Sequence, residues 1–515
     1  MPTSDQINNI VIVGGGSAGW MSAAMLSKQL ECGTKNSKIS ITLIESDDIG
    51  TVGVGEATIP PIKTFNGLLG IDENDFLKHC NGSIKLGISF ENWPQQSHQY
   101  FHPFGRFAVD FDYMPFSYFW NKHRALSAIT NTDKPLQDYA SAWHLAKNNK
   151  FSLPSKDKKS LFSGFDYAYH FDAGLYANYL RRYADKRGVK RQEGKITNVN
   201  THTNNGPNNG FISSVTLANG KKVSGDLFID CSGQSALLIG KTLDVKFIDW
   251  SENLLCNQAV AVQTKHTKAI SPYTRSIAKQ SGWQWQIPLQ TRMGNGSVHS
   301  REFINEQAAM DELVSSVDGD LLTEPKVINF NVGRREKFWH KNCIAIGLSA
   351  GFLEPLESTS LHLIQKSIMR LIGVFPNKQC DEINSKLYNQ QTVEEYEHIR
   401  DFIILHYKAT KRDDSDFWRY CQNMPIPDSL QQQIDLFSTH GHLDVNAKDL
   451  FKQDNWLAVL TGQNIFPKSV APIMAYKQQI DLPKTMDSFH YVMTETTKNL
   501  PSHEDYLKQH CHFKA

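Results

Sequence analysis

The period of apolar positions changes along the chain, and each change predicts an element. Residues 9–13 are a continuous apolar run, residues 18–30 follow with a helical pattern, and residues 40–44 are apolar again. The chain therefore opens as a strand, a helix and a strand. Residues 51–61 are rich in glycine and proline and predict a loop. Residues 105–159, aromatic at first and then rich in Asn, Ser and Lys, predict long loops and short helices over a core. Asp172 is placed to cap a helix running to about residue 186, with Gly188 as its C′ residue. Residues 223–229, 258–264, 327–332 and 343–346 predict strands. In SGWQWQIPL (281–289), Trp283, Trp285 and Ile287 alternate with Gln284 and Gln286. That period of two predicts a short strand with one aromatic face, opened by Gly282 and stopped by Pro288. Beyond about residue 361 the period lengthens, and 361–374, 393–405 and 456–460 predict a mostly helical C-terminal part. No repeat is visible, and low complexity is confined to the Asn/Gly turn 204–210.

Bulk properties narrow the function classes. A chain of 515 residues, 40% hydrophobic and 21% charged, has room for two or more packed units. A net charge of +1 offers no bulk attraction for nucleic acid or an anionic membrane. The eight cysteines include no CxxC pair, which argues against a zinc knuckle or disulfide framework and for buried thiols in a reducing compartment. No apolar run approaches the roughly 20 residues that span a bilayer. The first residues lack a basic segment and their apolar run is broken by glycines, as in a strand rather than a signal peptide. The expectation is a cytoplasmic protein.

The first turn carries recognisable chemistry. GGGSAG places Gly14, Gly16 and Gly19 in GxGxxG spacing between a strand and a helix that opens with Ser17 and Ala18. Gly14 makes the tight turn, Gly16 admits a pyrophosphate, and Gly19 lets helix pack on strand. The helix N-terminus supplies amide donors and a positive dipole end for phosphates. Glu45, at the end of the second strand, is placed to accept from a ribose hydroxyl. A later apolar strand ending in a small-residue turn, at 225–233, favours FAD over NAD, because large FAD domains return to the cofactor in this way. No second GxGxxG occurs, so the flavin's electrons come from elsewhere.

Beyond that turn, a set of motifs occurs in order: GGGSAGW (14–20), VGVGEATIP (52–60), NGSIKLGISFENW (81–93), YHFDA (169–173), DLFIDCSG (226–233), GWQWQIP (282–288), VGRR (332–335) and GLSAGFLEPLEST (347–359). Through these the chain resembles the flavin-dependent halogenases of the tryptophan halogenase family. The resemblance implies an α/β fold: an FAD-binding Rossmann-like domain of the GR2-type flavin monooxygenase kind with an added sheet, at 1–380. A helical part, 381–515, covers the substrate pocket. It implies that FADH2, O2 and chloride or bromide yield hypohalous acid, which passes to a lysine for electrophilic halogenation of an aromatic, indole-type substrate.

By motif match the lysine is Lys85 and the assisting glutamate is Glu357, with Glu354 a nearby alternative for a first-turn acid. Ile49, Ala57, Gly347 and Leu348 join the FAD-binding set. Thr359 and Ser360 fall where the family holds halide, Ser360 standing where the family usually has Gly. His102 and Phe104 match residues that sandwich an indole, and Trp456 is a candidate aromatic wall. Trp283 and Trp285 would wall the flavin off from an arene. The segment 440–460 lacks the paired tyrosines of tryptophan-specific members, so an indole or other open-pocket arene is expected rather than free tryptophan. The implied partner is a separate NAD(P)H-dependent flavin reductase, and the expected assembly is a monomer or homodimer. Two other readings stay open on the residues alone: an FAD-dependent aromatic hydroxylase, and a catalytically silent FAD-binding protein.

Overall fold

A computed structural model describes residues 5–35, 37–48, 55–127, 134–203 and 206–513. Its first sheet is six-stranded, in the order Trp339–His340, Cys343–Ala345, Leu227–Asp230, Asn9–Val13, Ser40–Glu45 and Lys190–Glu193. All its pairs are parallel except the Trp339–His340 hairpin. Ile10 to Val13 are buried throughout, as a strand covered on both faces requires. The helix Ser17–Gln29 crosses between the first two strands and packs against the helices Ala173–Asp185 and Ser360–Gly373.

A second, seven-stranded sheet runs Lys326–Asn329, Gln258–Thr264, Met293–His299, Gly282–Pro288, Thr274–Lys279, Gly87–Glu91 and Gln99–Pro103. Gly282–Pro288 lies at its centre, bonded on both sides, and all seven residues are buried. Trp285 lies opposite Gly296, where a Cβ would sit 2.0 Å from its ring, so only glycine leaves room for it. Its glutamines are buried too: Gln284 Oε1 accepts from Ser316 Oγ at 2.9 Å, while its Nε2 has no partner, and Gln286 Oε1 accepts from Arg275 Nη1 at 2.5 Å. A small antiparallel sheet joins Glu56–Ala57, Ala168–Phe171 and Ser83–Lys85.

Helices dominate the C-terminal region: Glu382–Lys408, Asp416–Asn423, Asp428–His440, Gln453–Gly462, Leu482–Lys498 and His503–His510. Asp172 caps its helix as expected, accepting from the amides of Gly174 and Leu175. Gly188 takes φ +80 one position later than the C′ expected of it, because the helix cap falls at Lys186.

Three stretches differ from their sequence pattern. The run 223–229 is broken at Gly225: Val223 joins the hairpin strand Lys222–Ser224, and Leu227–Asp230 enters the parallel sheet. The run 327–332 likewise ends at Asn329, and a separate strand forms at Gly333–Arg335. Within 105–159 the short helices expected there form at Phe116–Ser127 and Ser141–Lys147, each holding buried side chains against the core. Part of the loop expected at 51–61 falls outside the described residues. The rest pairs as Glu56–Ala57 and then begins the helix Pro61–Leu69. All eight cysteines are buried and free. No helix among the described residues is long and apolar enough to cross a membrane.

Candidate functional site

A cavity of about 780 Å³ opens where the strand Asn9–Val13 meets its helix. Gly14 takes φ +112, and a Cβ there would lie 2.1 Å from the carbonyl oxygen of Cys231, so the turn requires glycine. Gly16 faces open space, with nothing within 4 Å of where its Cβ would be. No side chain caps the helix Ser17–Gln29, so its first amides are left for a ligand. Ser17, Ala18, Ala57, Gly347 and Leu348 line the same cavity, and Leu348 is exposed. Glu45 reaches it as well. One of its oxygens takes Arg191 Nε, and the other accepts from Trp20 Nε1 at 3.3 Å. An anionic pyrophosphate and a ribose fit these donors and this acceptor, so the residues present suit a dinucleotide. Ile49 lies outside the described residues.

Trp283 and Trp285 form the far wall of the cavity, their ring centroids 6.1 Å apart. The Trp283 Nε1–H donates to Glu354 Oε2 at 2.9 Å, and the Tyr407 hydroxyl donates to the same oxygen at 2.6 Å. Glu354 is fully buried, its Oε1 has no partner, and burial raises its carboxyl to about 7. This acid ties the tryptophan strand to the loop that carries Glu357.

Lys85 ends the short strand Ser83–Lys85 and is fully buried. Its Nζ donates to Ser358 Oγ at 2.8 Å and lies 5.2 Å from the Phe104 ring centre. Burial lowers the ammonium to about 7, although Glu357 and then Glu56 favour its charge. Glu56, at the cavity edge, is raised to about 7, again by burial, which Lys85 opposes. Ser358 lines the cavity as well as holding the lysine, so a single hydroxyl separates Lys85 from that space. Its φ of +59 turns the chain sharply between Glu357 and the following helix.

Glu357 is buried beside this turn with its two oxygens in unequal surroundings. Its Oε1 is 3.0 Å from His102 Nδ1 and 2.8 Å from His406 Nε2, whereas Oε2 has no partner. Asn455 Nδ2 lies 2.9 Å from His102 Nε2, and its amide donates there, which leaves the His102 proton on Nδ1 for Glu357. His406 Nδ1 is 2.8 Å from the Phe402 carbonyl and must donate to it. Its Nε2 lies 2.8 Å from Glu357 Oε1, within ion-pair range but without hydrogen-bond geometry. Burial alone would push the Glu357 carboxyl up; His102 and His406 outweigh it and hold it at about 2.

Thr359 precedes the helix Ser360–Gly373, fully buried, with its Oγ1 unpartnered, and Ser360 opens the helix into the cavity. Trp456 packs edge-on to Phe402 at 5.1 Å, and Phe402 stacks on Phe451 at 3.8 Å.

The structure thus gathers most of the sequence-derived residues around two adjoining centres, whereas Gly19 packs against the Gly14 carbonyl and neither it nor Thr359 lines the cavity. Gly14, Gly16, Ser17, Ala18, Glu45, Ala57, Gly347, Leu348, Trp283, Trp285 and Ser360 line the cavity. His102 meets Glu357, and Phe104 lies beside Lys85. Sequence reasoning passed over Ser358, His406, Tyr407, Asn455 and Glu56. Their signals were faint: a polar pair inside the apolar helical run FIILHY, and a serine and a glutamate inside motifs noted for other residues.

An α/β protein with a dinucleotide cradle beside a buried lysine and glutamate is the class that fold and site define. Within it, the chain belongs to the tryptophan halogenase family, whose profile matches residues 9–479. It is 33% identical to the tryptophan 7-halogenase RebH of Lentzea aerocolonigenes, over 98% of this chain and 99% of that protein. Among solved structures it is similar to Xcc4156, a flavin-dependent halogenase from Xanthomonas campestris, at 41% identity and TM-score 0.93, covering 99% of each chain. BrvH, a flavin-dependent halogenase from Brevundimonas sp. BAL3, superimposes at TM-score 0.92 with 40% identity, over 98% of this chain and 99% of that one.

Proposed function

We propose that this chain is a flavin-dependent halogenase that places chlorine or bromine on an indole-type arene. One observation carries the reading: Lys85, buried and poised near neutrality, is one hydroxyl away from the dinucleotide cavity and close to Glu357. FAD, reduced by a separate NAD(P)H-dependent reductase, would supply the chemistry that turns O2 and halide into hypohalous acid. Gly14, Gly16, Ser17 and Ala18 hold its phosphates at the helix N-terminus, and Glu45 accepts from its ribose. Thr359 and Ser360 hold halide, with the orphan Thr359 hydroxyl and the helix amides as donors. Trp283 and Trp285 fill the space where an arene would otherwise reach the cavity.

Lys85 receives the oxidant, as an ammonium that donates to it or as an amine that bonds to halogen. Glu357 takes the arene proton on Oε2, the oxygen left free, while the two histidines hold Oε1. The helical part 381–515 closes the arene side through His406, Asn455 and Trp456. The apolar Phe402–Phe451 stack beside Trp456 supports a plain indole over a zwitterionic amino acid. The eight free thiols suit a reducing cytoplasm.

The test is incubation with FAD, a flavin reductase, NADH, oxygen, bromide or chloride, and indole, read by mass spectrometry. A halogenated product is expected. A product heavier by one oxygen would point instead to a hydroxylase, and peroxide alone with every arene to a silent flavin binder.

A further inference from the structure

The side chains behind the cavity wall form a continuous oxidisable path. Trp285 and Trp283 line the cavity with ring centroids 6.1 Å apart. Trp283 Nε1–H and the Tyr407 hydroxyl both donate to one oxygen of Glu354, at 2.9 and 2.6 Å. A single carboxylate therefore joins the wall to a tyrosine outside it. Glu354 is fully buried, and its second oxygen has no partner. Tyr407 is buried with Trp93 and Trp418 around its ring, at 5.3 and 6.0 Å. Its hydroxyl proton has an acceptor already in place, which is what oxidation of a phenol requires: an oxidised phenol sheds that proton.

We propose that Trp285, Trp283, Glu354 and Tyr407 form a relay that draws one-electron oxidising equivalents out of the cavity. The relay rests on the reading that the cavity holds FAD. Trp285 or Trp283 would give up one electron to an oxidant in the cavity, such as photoexcited oxidised flavin. Tyr407 returns that electron to the tryptophan radical cation, and its phenolic proton passes along the existing hydrogen bond to the Glu354 carboxylate. One electron has passed to the oxidant in the cavity, the tryptophans are restored, and a neutral tyrosyl radical would remain beside a protonated Glu354. Burial raises that carboxyl to about 7, so it can hold the proton at neutral pH. The relay protects the wall, since a tryptophan radical left standing beside oxygen and halide is open to irreversible modification.

The experiment is flash photolysis of the protein carrying oxidised FAD, read by transient absorption. A tryptophan radical that converts to a tyrosyl radical is expected. Tyr407→Phe, which keeps the ring, should lose the tyrosyl signal and leave the tryptophan radical to recombine. Glu354→Gln still accepts both hydrogen bonds but cannot accept the proton, so it should also lose the tyrosyl signal. An undiminished tyrosyl signal in either variant, or flavin-loaded wild type with no amino-acid radical, overturns the relay alone. A protein that retains no FAD at all overturns both the relay and the function proposed above.

Discussion

Replacing Lys85 by methionine should stabilise the protein while abolishing halogenation. The lysine's ammonium is lowered from its ordinary 10.5 to about 7, chiefly by burial. At 1.36 kcal/mol per unit, that drop is an unfavourable contribution to folding of about 5 kcal/mol when the group is charged. The folded-state value lies below the unfolded one. The penalty is therefore fully present below about pH 7, fades as pH rises, and is gone above about pH 10.5. Methionine has a similar length and no charge. Its gain is smaller than the full penalty, because Glu56 loses a neighbouring cation and takes up a proton more readily. A net stabilisation of about 1–4 kcal/mol is expected, the range for buried charges exchanged for apolar groups of similar volume. Urea unfolding midpoints at about pH 6 and about pH 9, at equal slope, measure it. The variant's advantage should be largest at the lower pH and shrink at the higher one. A variant no more stable than wild type at low pH, or an advantage that does not change with pH, would show that Lys85 is not held at a folding penalty.

Other substitutions separate the parts of the site. Glu357→Gln should lower the halogenation rate roughly 10²- to 10⁴-fold, as loss of a positioned proton acceptor does, with FAD retention unchanged by equilibrium dialysis. Because His102 and His406 hold its carboxyl at about 2, Glu357 stays ionised at mildly acid pH and should contribute no acid limb to the rate profile above about pH 4. Thr359→Val removes an orphan buried hydroxyl at constant shape. The KM for bromide should rise roughly tenfold, about 1.4 kcal/mol, with no loss of thermal stability. The two fingerprint glycines should differ. Gly16→Val meets only open space, so it should lose FAD affinity and keep the unfolding temperature of the apoprotein, whereas Gly14→Ala should lower that temperature through backbone strain.

What the sequence made legible follows from how local each signal is. The opening strand, helix and strand were readable because apolar period, glycines and acid all fall within 45 residues of one another. The strand 258–264 was found to the residue, since both its faces are buried and its run is unbroken. The boundary between 223 and 229 was not legible: apolar residues continue on both sides of Gly225, and only the three-dimensional partner reveals that they belong to different sheets. The site divides in the same way. Lys85 and Glu357 stand inside motifs, so the resemblance pointed to them. His406 and Asn455 lie on helices whose apolar faces dominate the pattern, and their partners are 49 and 353 positions away in the chain. A polar side chain on such a helix is an ordinary sight until its hydrogen bonds are known. The alternation in GWQWQIP, too, suggested a polar face, yet Gln284 and Gln286 are buried and bonded.

The contacts of the helix Glu382–Lys408 set a limit on how this protein can be re-engineered. His406 and Tyr407 come from that helix, and each grips a different glutamate of the EPLES turn. Two neighbouring residues of one helix thus service two acids three positions apart in another segment. A chimera that exchanges everything after residue 380 for the equivalent stretch of a relative would carry both grips across a new seam. To graft a different arene pocket, the junction belongs after Lys408, so that the donor replaces the helix Gln453–Gly462 and its surroundings while both acids keep their own partners.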